Sequence, residues 1–197
     1  MKKVIKPEDA ENYSKHMNFY HPPLLPMPDV PVCLHHGSFL AKRRHDVHTG
    51  VDLYTPPDSK VYAIERGEVV AIRAFTGKIA GYPFWNDTWA VDIESQTGIV
   101  CYGEIKPAEG LKEGQEVELG QIIGKVIPVL KKYKGKPMSM LHMALHRHGW
   151  KYLYQQRGKE DQEIFYDMQI DPTLWLIQLK NLADKMQHDD NFRHEVF

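Results

Sequence analysis

The chain is poor in cysteine. Two residues, Cys33 and Cys101, in a length of 197 rule out a disulfide framework. Both read as ordinary half-buried thiols in a reducing compartment, with a single bridge between them as the alternative. Charge of one sign is also missing: 25 Lys and Arg stand against 26 Asp and Glu, for a formal net charge of -1. With no basic block either, nothing recruits nucleic acid or an anionic membrane surface electrostatically, and both are excluded as expected partners. No uninterrupted apolar run is long enough to span a bilayer. The N-terminus begins Met1-Lys2-Lys3-Val4-Ile5-Lys6-Pro7, and no apolar h-region follows the lysines. The expectation is a cytoplasmic protein, any release occurring by another route such as lysis.

What is present is an ordinary globular composition, 42% hydrophobic and 26% charged, in a length that suits one domain. The unusual number is 11 histidines. They cluster as His35, His36, His45 and His48, and again as His142, His146 and His148. Histidine is the commonest metal ligand and proton shuttle near neutral pH.

The patterning divides the chain into four parts. Residues 1–31 read as a short N-terminal helix and a proline-rich arm lying on the domain. Residues 32–150 are dense in short β signals with glycine punctuation. Val61-Tyr62-Ala63-Ile64 and Glu68-Val69-Val70-Ala71-Ile72 flank a turn at Arg66-Gly67. Trp89 to Glu94 turns at Gln96-Thr97-Gly98 into Ile99-Val100-Cys101-Tyr102. Many short strands joined by glycine turns imply a mainly β, antiparallel sandwich or barrel. Residues 151–187 read as a connecting segment and a C-terminal helix packed on the domain, with Asp171 as N-cap and Pro172 in the first turn. Residues 188–197 read as a frayed tail.

Two segments carry residues that could ligate a metal, a pattern that by residue type alone also arises by chance. In His48-Thr49-Gly50-Val51-Asp52 a histidine and a carboxylate lie four residues apart, and the β-branched neighbours favour strand over helix. Fully extended, the two would be ~13 Å apart, so joint ligation needs a bend, which Gly50 can supply. In Met140-Leu141-His142-Met143-Ala144-Leu145-His146, Leu141, Met143 and Leu145 share one face and His142 and His146 the other. One ion cannot take both histidines along a straight strand. His142, central to the apolar strand, is the candidate ligand; a hydrogen-bonded core histidine is the alternative.

Order and spacing over five blocks resemble the lysostaphin-type (LytM-like) zinc metallopeptidases, which cut peptide cross-links in bacterial cell walls. The blocks are His48 to Leu53, Pro56 to Ala63 with Gly67 to Val70, the glycine-punctuated Leu111 to Val126, Leu141-His142, and Ile170-Asp171-Pro172. The resemblance implies an antiparallel β fold of duplicated hybrid motifs, an exposed groove, and one zinc ion held by His48, Asp52 and His142. Two departures accompany it. Met140 stands where the family has the first histidine of His-x-His, and Glu104 of Tyr102-Gly103-Glu104-Ile105 stands where it has a catalytic histidine.

Three protein ligands leave a fourth position for water, whose pKa zinc lowers to ~7. Glu104 then has three readings: a base that deprotonates this water, a fourth ligand that closes the shell, or a surface residue on a turn. His36, His45 and His146 are candidate substitute bases or donors, and Arg43 and Arg44 could hold a substrate carboxylate. Tyr82, Phe84, Trp85 and Trp89 could wall the groove, so Tyr82, Trp85 and His146 are the expected substrate contacts. The first functional reading is a peptidase or amidase using Glu104 on a peptide or peptidoglycan-like substrate. The second is a catalytically silent metal-binding module recognising a peptide, glycan or protein. A third, ranked last for want of a lysine at a hairpin tip, is a carrier domain, since 111–126 also resembles lipoyl and biotinyl hammerheads.

Overall fold

The computed structural model describes residues 20–43, 47–133, 135, 137–150 and 168–188. Its strands are β1 (Val51–Tyr54), β2 (Lys60–Tyr62), β3 (Gly67–Thr76), β4 (Thr88–Ser95), β5 (Ile99–Pro107), β6 (Glu116–Val117), β7 (Ile122–Val126), β8 (Met140–His146) and β9 (Gln169–Ile170), followed by helix α1 (Thr173–His188). Among the described residues all pairings are antiparallel, in the order β1-β8-β5-β4-β3-β6, with β2-β7 attached to β5 and β9 to β8. The mainly β, antiparallel expectation holds. The Arg66-Gly67 turn does not close a hairpin, however, because β2 pairs with β7 instead of β3.

Alternation along the central strands gives the sheet two faces. Leu53, Leu141, Met143, Val100 and Tyr102 point into one core with Leu176, Leu179 and Ala183 of α1. Leu24 and Met27, from the proline-rich stretch, are buried in the same core. The opposite face carries Ala90, Cys101 and Ala144, with Phe75 against them, and it is the face that holds Asp52 and His142. Helix α1 begins as its sequence dictates: the Asp171 carboxylate accepts the Thr173 N–H at 2.9 Å. The helix runs through His188, so the expected fraying there does not begin at that residue; 189–197, like the expected N-terminal helix, fall outside the described residues. Neither cysteine is half-buried. Cys33 is exposed and Cys101 buried, and both are free thiols. No helix among the described residues is long and apolar enough to cross a membrane.

Strand β5 serves two partners. Ile99 to Gly103 pairs with β8 and Ile105 to Pro107 with β7. Along its other edge the register against β4 slips, since Gly103 and Glu104 together oppose only Ala90 between the pairs Trp89↔Ile105 and Val91↔Tyr102. Glu104 occupies this bulge with φ 65°, a left-handed conformation uncommon for a residue with a side chain. A bulge of this kind re-aims one side chain relative to its neighbours.

Candidate metal centre

Two elements and one loop assemble the site. Strands β1 and β8 place Asp52 directly opposite His142, and residues directly opposite in a ladder share a face. The approach to β1 is folded back on itself, with Leu40 N–H donating to His48 O and His48 N–H to Ala41 O, both at 2.9 Å. Gly50 then lets the chain pass under the His142 ring. A Cβ at Gly50 would lie 2.5 Å from Met143 O and 2.7 Å from His142 Cε1 and Nε2. The expected bend at Gly50 thus has a second cause: only glycine leaves room for the histidine opposite.

The three polar atoms meet at one point. His48 Nε2 lies 3.1 Å from His142 Nδ1, and Asp52 Oδ1 lies 3.0 Å from each of them. Among the described residues this is the cluster of His, Cys, Asp and Glu whose ligand atoms could hold a metal ion. Ligands ~2.0–2.1 Å from a tetrahedral zinc ion stand about 3.3 Å apart, so the donor set fits a zinc ion with a small outward adjustment. His48 Nδ1 donates to the Ser38 carbonyl at 2.9 Å, which leaves the lone pair of Nε2 facing the centre. Burial pushes the Asp52 carboxyl up, but the His142 and His48 rings against it outweigh burial and hold the group well below the usual carboxylate range. Burial lowers the His142 pKa, with Asp52 opposing, which favours the neutral form of imidazole that metal binding requires.

Glu104 is buried, and its Oε2 has no hydrogen-bond partner among the described residues. Burial first, then the negative charge of Asp52, raises its pKa well above the ordinary value, with Arg43 opposing. The surface reading of Glu104 is therefore excluded. It also stands outside the three-residue cluster. Tyr54, two residues after Asp52 on the same face, faces Met140 across the ladder and lies near enough to Asp52 and Glu104 for their charges to raise its pKa, after burial.

The other expected site residues are distributed differently. His146 is buried, 3% exposed, and its ring stacks on Trp150 at a centroid distance of 3.9 Å and an angle of 4°. Its ring is covered by a packing partner, which corrects the expectation of a substrate contact at this position. Tyr82 and Trp85 are 42% and 40% exposed and stack on each other at 5.5 Å. Arg43 does not await a substrate carboxylate: its Nη2 donates to Asp52 Oδ2 at 2.5 Å. His36 contributes its carbonyl to the same Arg43 Nη2 at 3.2 Å. Arg44 and His45 fall outside the described residues.

Sequence reasoning missed the supports of His142. The Phe75 ring lies 5.1 Å from that imidazole and occupies the space a Cβ at Gly103 would need, 2.7 Å from the Phe75 ring. Behind it, Arg73 sits over the Phe75 ring at 5.3 Å and pairs with the fully buried Asp92 at 2.8 Å. No local signal marks these residues, which lie on β3, β4 and β5; only the glycine at 103 hints at a close approach.

Burial lowers the His146 pKa to about 3. Between about pH 6.5 and 3 the unfolded chain therefore binds a proton there that the folded chain does not. Stability is full above pH 6.5 and falls as the pH drops toward 3, by up to about 1.4 kcal/mol per pH unit. Urea unfolding of His146→Phe over this range should show a flatter pH dependence than wild type; identical slopes would refute the assignment.

Comparison with known proteins yields one family. The sequence pattern of Peptidase family M23 matches residues 46–154, more than half of the chain. No curated protein gives a significant sequence match. Among solved structures, lysostaphin, described as an antimicrobial peptidase from Staphylococcus simulans, is similar with a TM-score of 0.53 and 17% identity, over 82% of this chain and 55% of its own. This chain thus spans little more than half the length of lysostaphin. The protein cbpa from L. salivarius REN matches with a TM-score of 0.53 and 17% identity, over 83% of this chain and 98% of its own. At such identities these likenesses concern the fold.

Proposed function

The chain belongs to peptidase family M23, the lysostaphin-type family its motifs resemble, and on that premise we propose that it is a zinc-dependent hydrolase of peptide or amide bonds in peptidoglycan-like substrates. The observation behind this reading is the convergence of His48 Nε2, Asp52 Oδ1 and His142 Nδ1 within 3.0–3.1 Å of one another, beside a buried carboxyl with an unpartnered oxygen. When bound, zinc supplies an acidified water, polarises the scissile carbonyl and, by its charge, draws Glu104 back toward ionisation.

The chain's own residues divide the remaining work. Glu104 takes the proton of the attacking water and returns it to the leaving amine. Among the described residues no hydrogen bond competes for Oε2. Tyr54, kept protonated by burial and by Asp52, serves as a hydroxyl donor toward the developing oxyanion. The stacked pair Tyr82 and Trp85 offers an exposed apolar wall to the substrate.

The test is direct. Zinc-loaded protein incubated with cross-linked wall peptides should release new amino termini, a chelator should stop the release, and added zinc should restore it. Zinc at one hundred times its Kd should stabilise the fold by about 2.7 kcal/mol, raising Tm by roughly 5–11 °C for a chain of this size. His142→Ala should abolish that shift. Met140, in place of a family histidine, favours the second reading, a silent metal-binding module. Zinc uptake without cleavage of any wall peptide would decide for it.

A further inference from the structure

Asp52 has two oxygens, and the fold treats them differently. Oδ1 faces His48 Nε2 and His142 Nδ1, each at 3.0 Å. Oδ2 is held by Arg43 Nη2 at 2.5 Å, and that same nitrogen also donates to the His36 carbonyl at 3.2 Å. Asp52 itself is buried, while the Arg43 side chain is 34% exposed, so the guanidinium covers the outer oxygen from the solvent side. Arg43 and His48 each adjoin a residue of the antiparallel bridge between Lys42 and Val47, which couples the position of the clamp to that of a ligand histidine. The Asp52 N–H donates to Gly37 O at 2.8 Å, fixing the backbone from which the carboxylate projects.

A carboxylate can bind a metal through one oxygen or through both. An oxygen held in a charge-assisted hydrogen bond is oriented by its donor and competes less well for the metal than the free oxygen. From this geometry we propose that Arg43 is a positioning residue that makes Asp52 a one-oxygen ligand, so that the two histidines and one oxygen leave a coordination position open to water and substrate. The inference rests on the zinc reading above and adds to it the reason the shell stays open. The two N–H groups on Nη2 serve the Asp52 oxygen and the His36 carbonyl together.

The decisive experiment compares the zinc shell of wild type, Arg43→Met and Arg43→Lys by X-ray absorption at the zinc edge, with hydrolysis measured alongside. Wild type should show four light ligand atoms. Arg43→Met should bind one zinc per chain with a fifth ligand atom, the freed Oδ2, and lose about 10–100-fold in activity, the usual scale for outer-shell partners. Arg43→Lys, whose ammonium can still reach Oδ2, should keep four. A four-atom shell in Arg43→Met, or loss of its zinc altogether, overturns the assignment to Arg43. Failure of wild type to take up zinc sinks the parent reading instead, so the two failures are distinguishable. Circular dichroism confirms that each variant is folded.

Discussion

Replacing Glu104 by glutamine should lower the hydrolytic rate by about 10²–10⁴-fold and leave zinc in its site. Glutamine keeps the length of the side chain but can neither accept nor return a proton. The expected loss corresponds to about 2.7–5.5 kcal/mol in the activation barrier. Zinc should remain because Glu104 lies outside the His48, Asp52 and His142 cluster. Stability should change little: burial and the charge of Asp52 both oppose ionisation of this carboxyl, and an uncharged amide of the same length meets neither penalty. The measurement is kcat on a cross-bridge peptide together with zinc content per chain. Wild-type kcat in Glu104→Gln would remove the glutamate from the chemistry, and loss of zinc would instead make it a fourth ligand.

The second large effect is expected at Gly50, which has no side chain to carry a proton. Gly50→Ala drives a methyl to 2.5 Å from Met143 O and 2.7 Å from two atoms of the His142 ring. The backbone oxygen belongs to the β1–β8 ladder, where Val51 faces Met143, so the strands must part or the imidazole must turn. Overpacking of this kind costs about 1–3 kcal/mol, which lowers Tm by roughly 2–12 °C in a chain of this size. The larger consequence is at the metal. The Phe75 ring lies beside the same imidazole and restricts its retreat, so His142 Nδ1 leaves the point it shares with His48 Nε2. Zinc affinity should fall at least tenfold, as titration against a chromophoric chelator would measure. A variant that binds zinc as wild type would mean that the strand relaxes without moving the ring.

These two predictions mark where the sequence was legible. The alternation Leu141, Met143, Leu145 against His142 could be read directly, because a strand's side chains obey a period of two whatever lies around them. The Asp171-Pro172 helix start was readable because capping is local. Glu104 could be located only by its place in a motif. Its burial and left-handed backbone arise from the exchange of partners along β5, and no residue near it encodes that exchange. His146 misled for the related reason that periodicity gives a face but not its cover: Trp150 folds back onto the ring. Arg43 misled as well. A paired arginine looks available for a ligand until the chain turns it onto Asp52.

By itself the sequence determined the strand-rich architecture, the two segments that carry the candidate ligands, and the family, since each depends on residue types at fixed short spacings. Tertiary structure alone decided that segments 90 residues apart bring Asp52 and His142 to 3.0 Å, that Arg43 takes the outer oxygen, and that Glu104 is buried. Those facts depend on which strands lie side by side, and pairing across a sheet is set by packing of the whole chain rather than by any local run of residues.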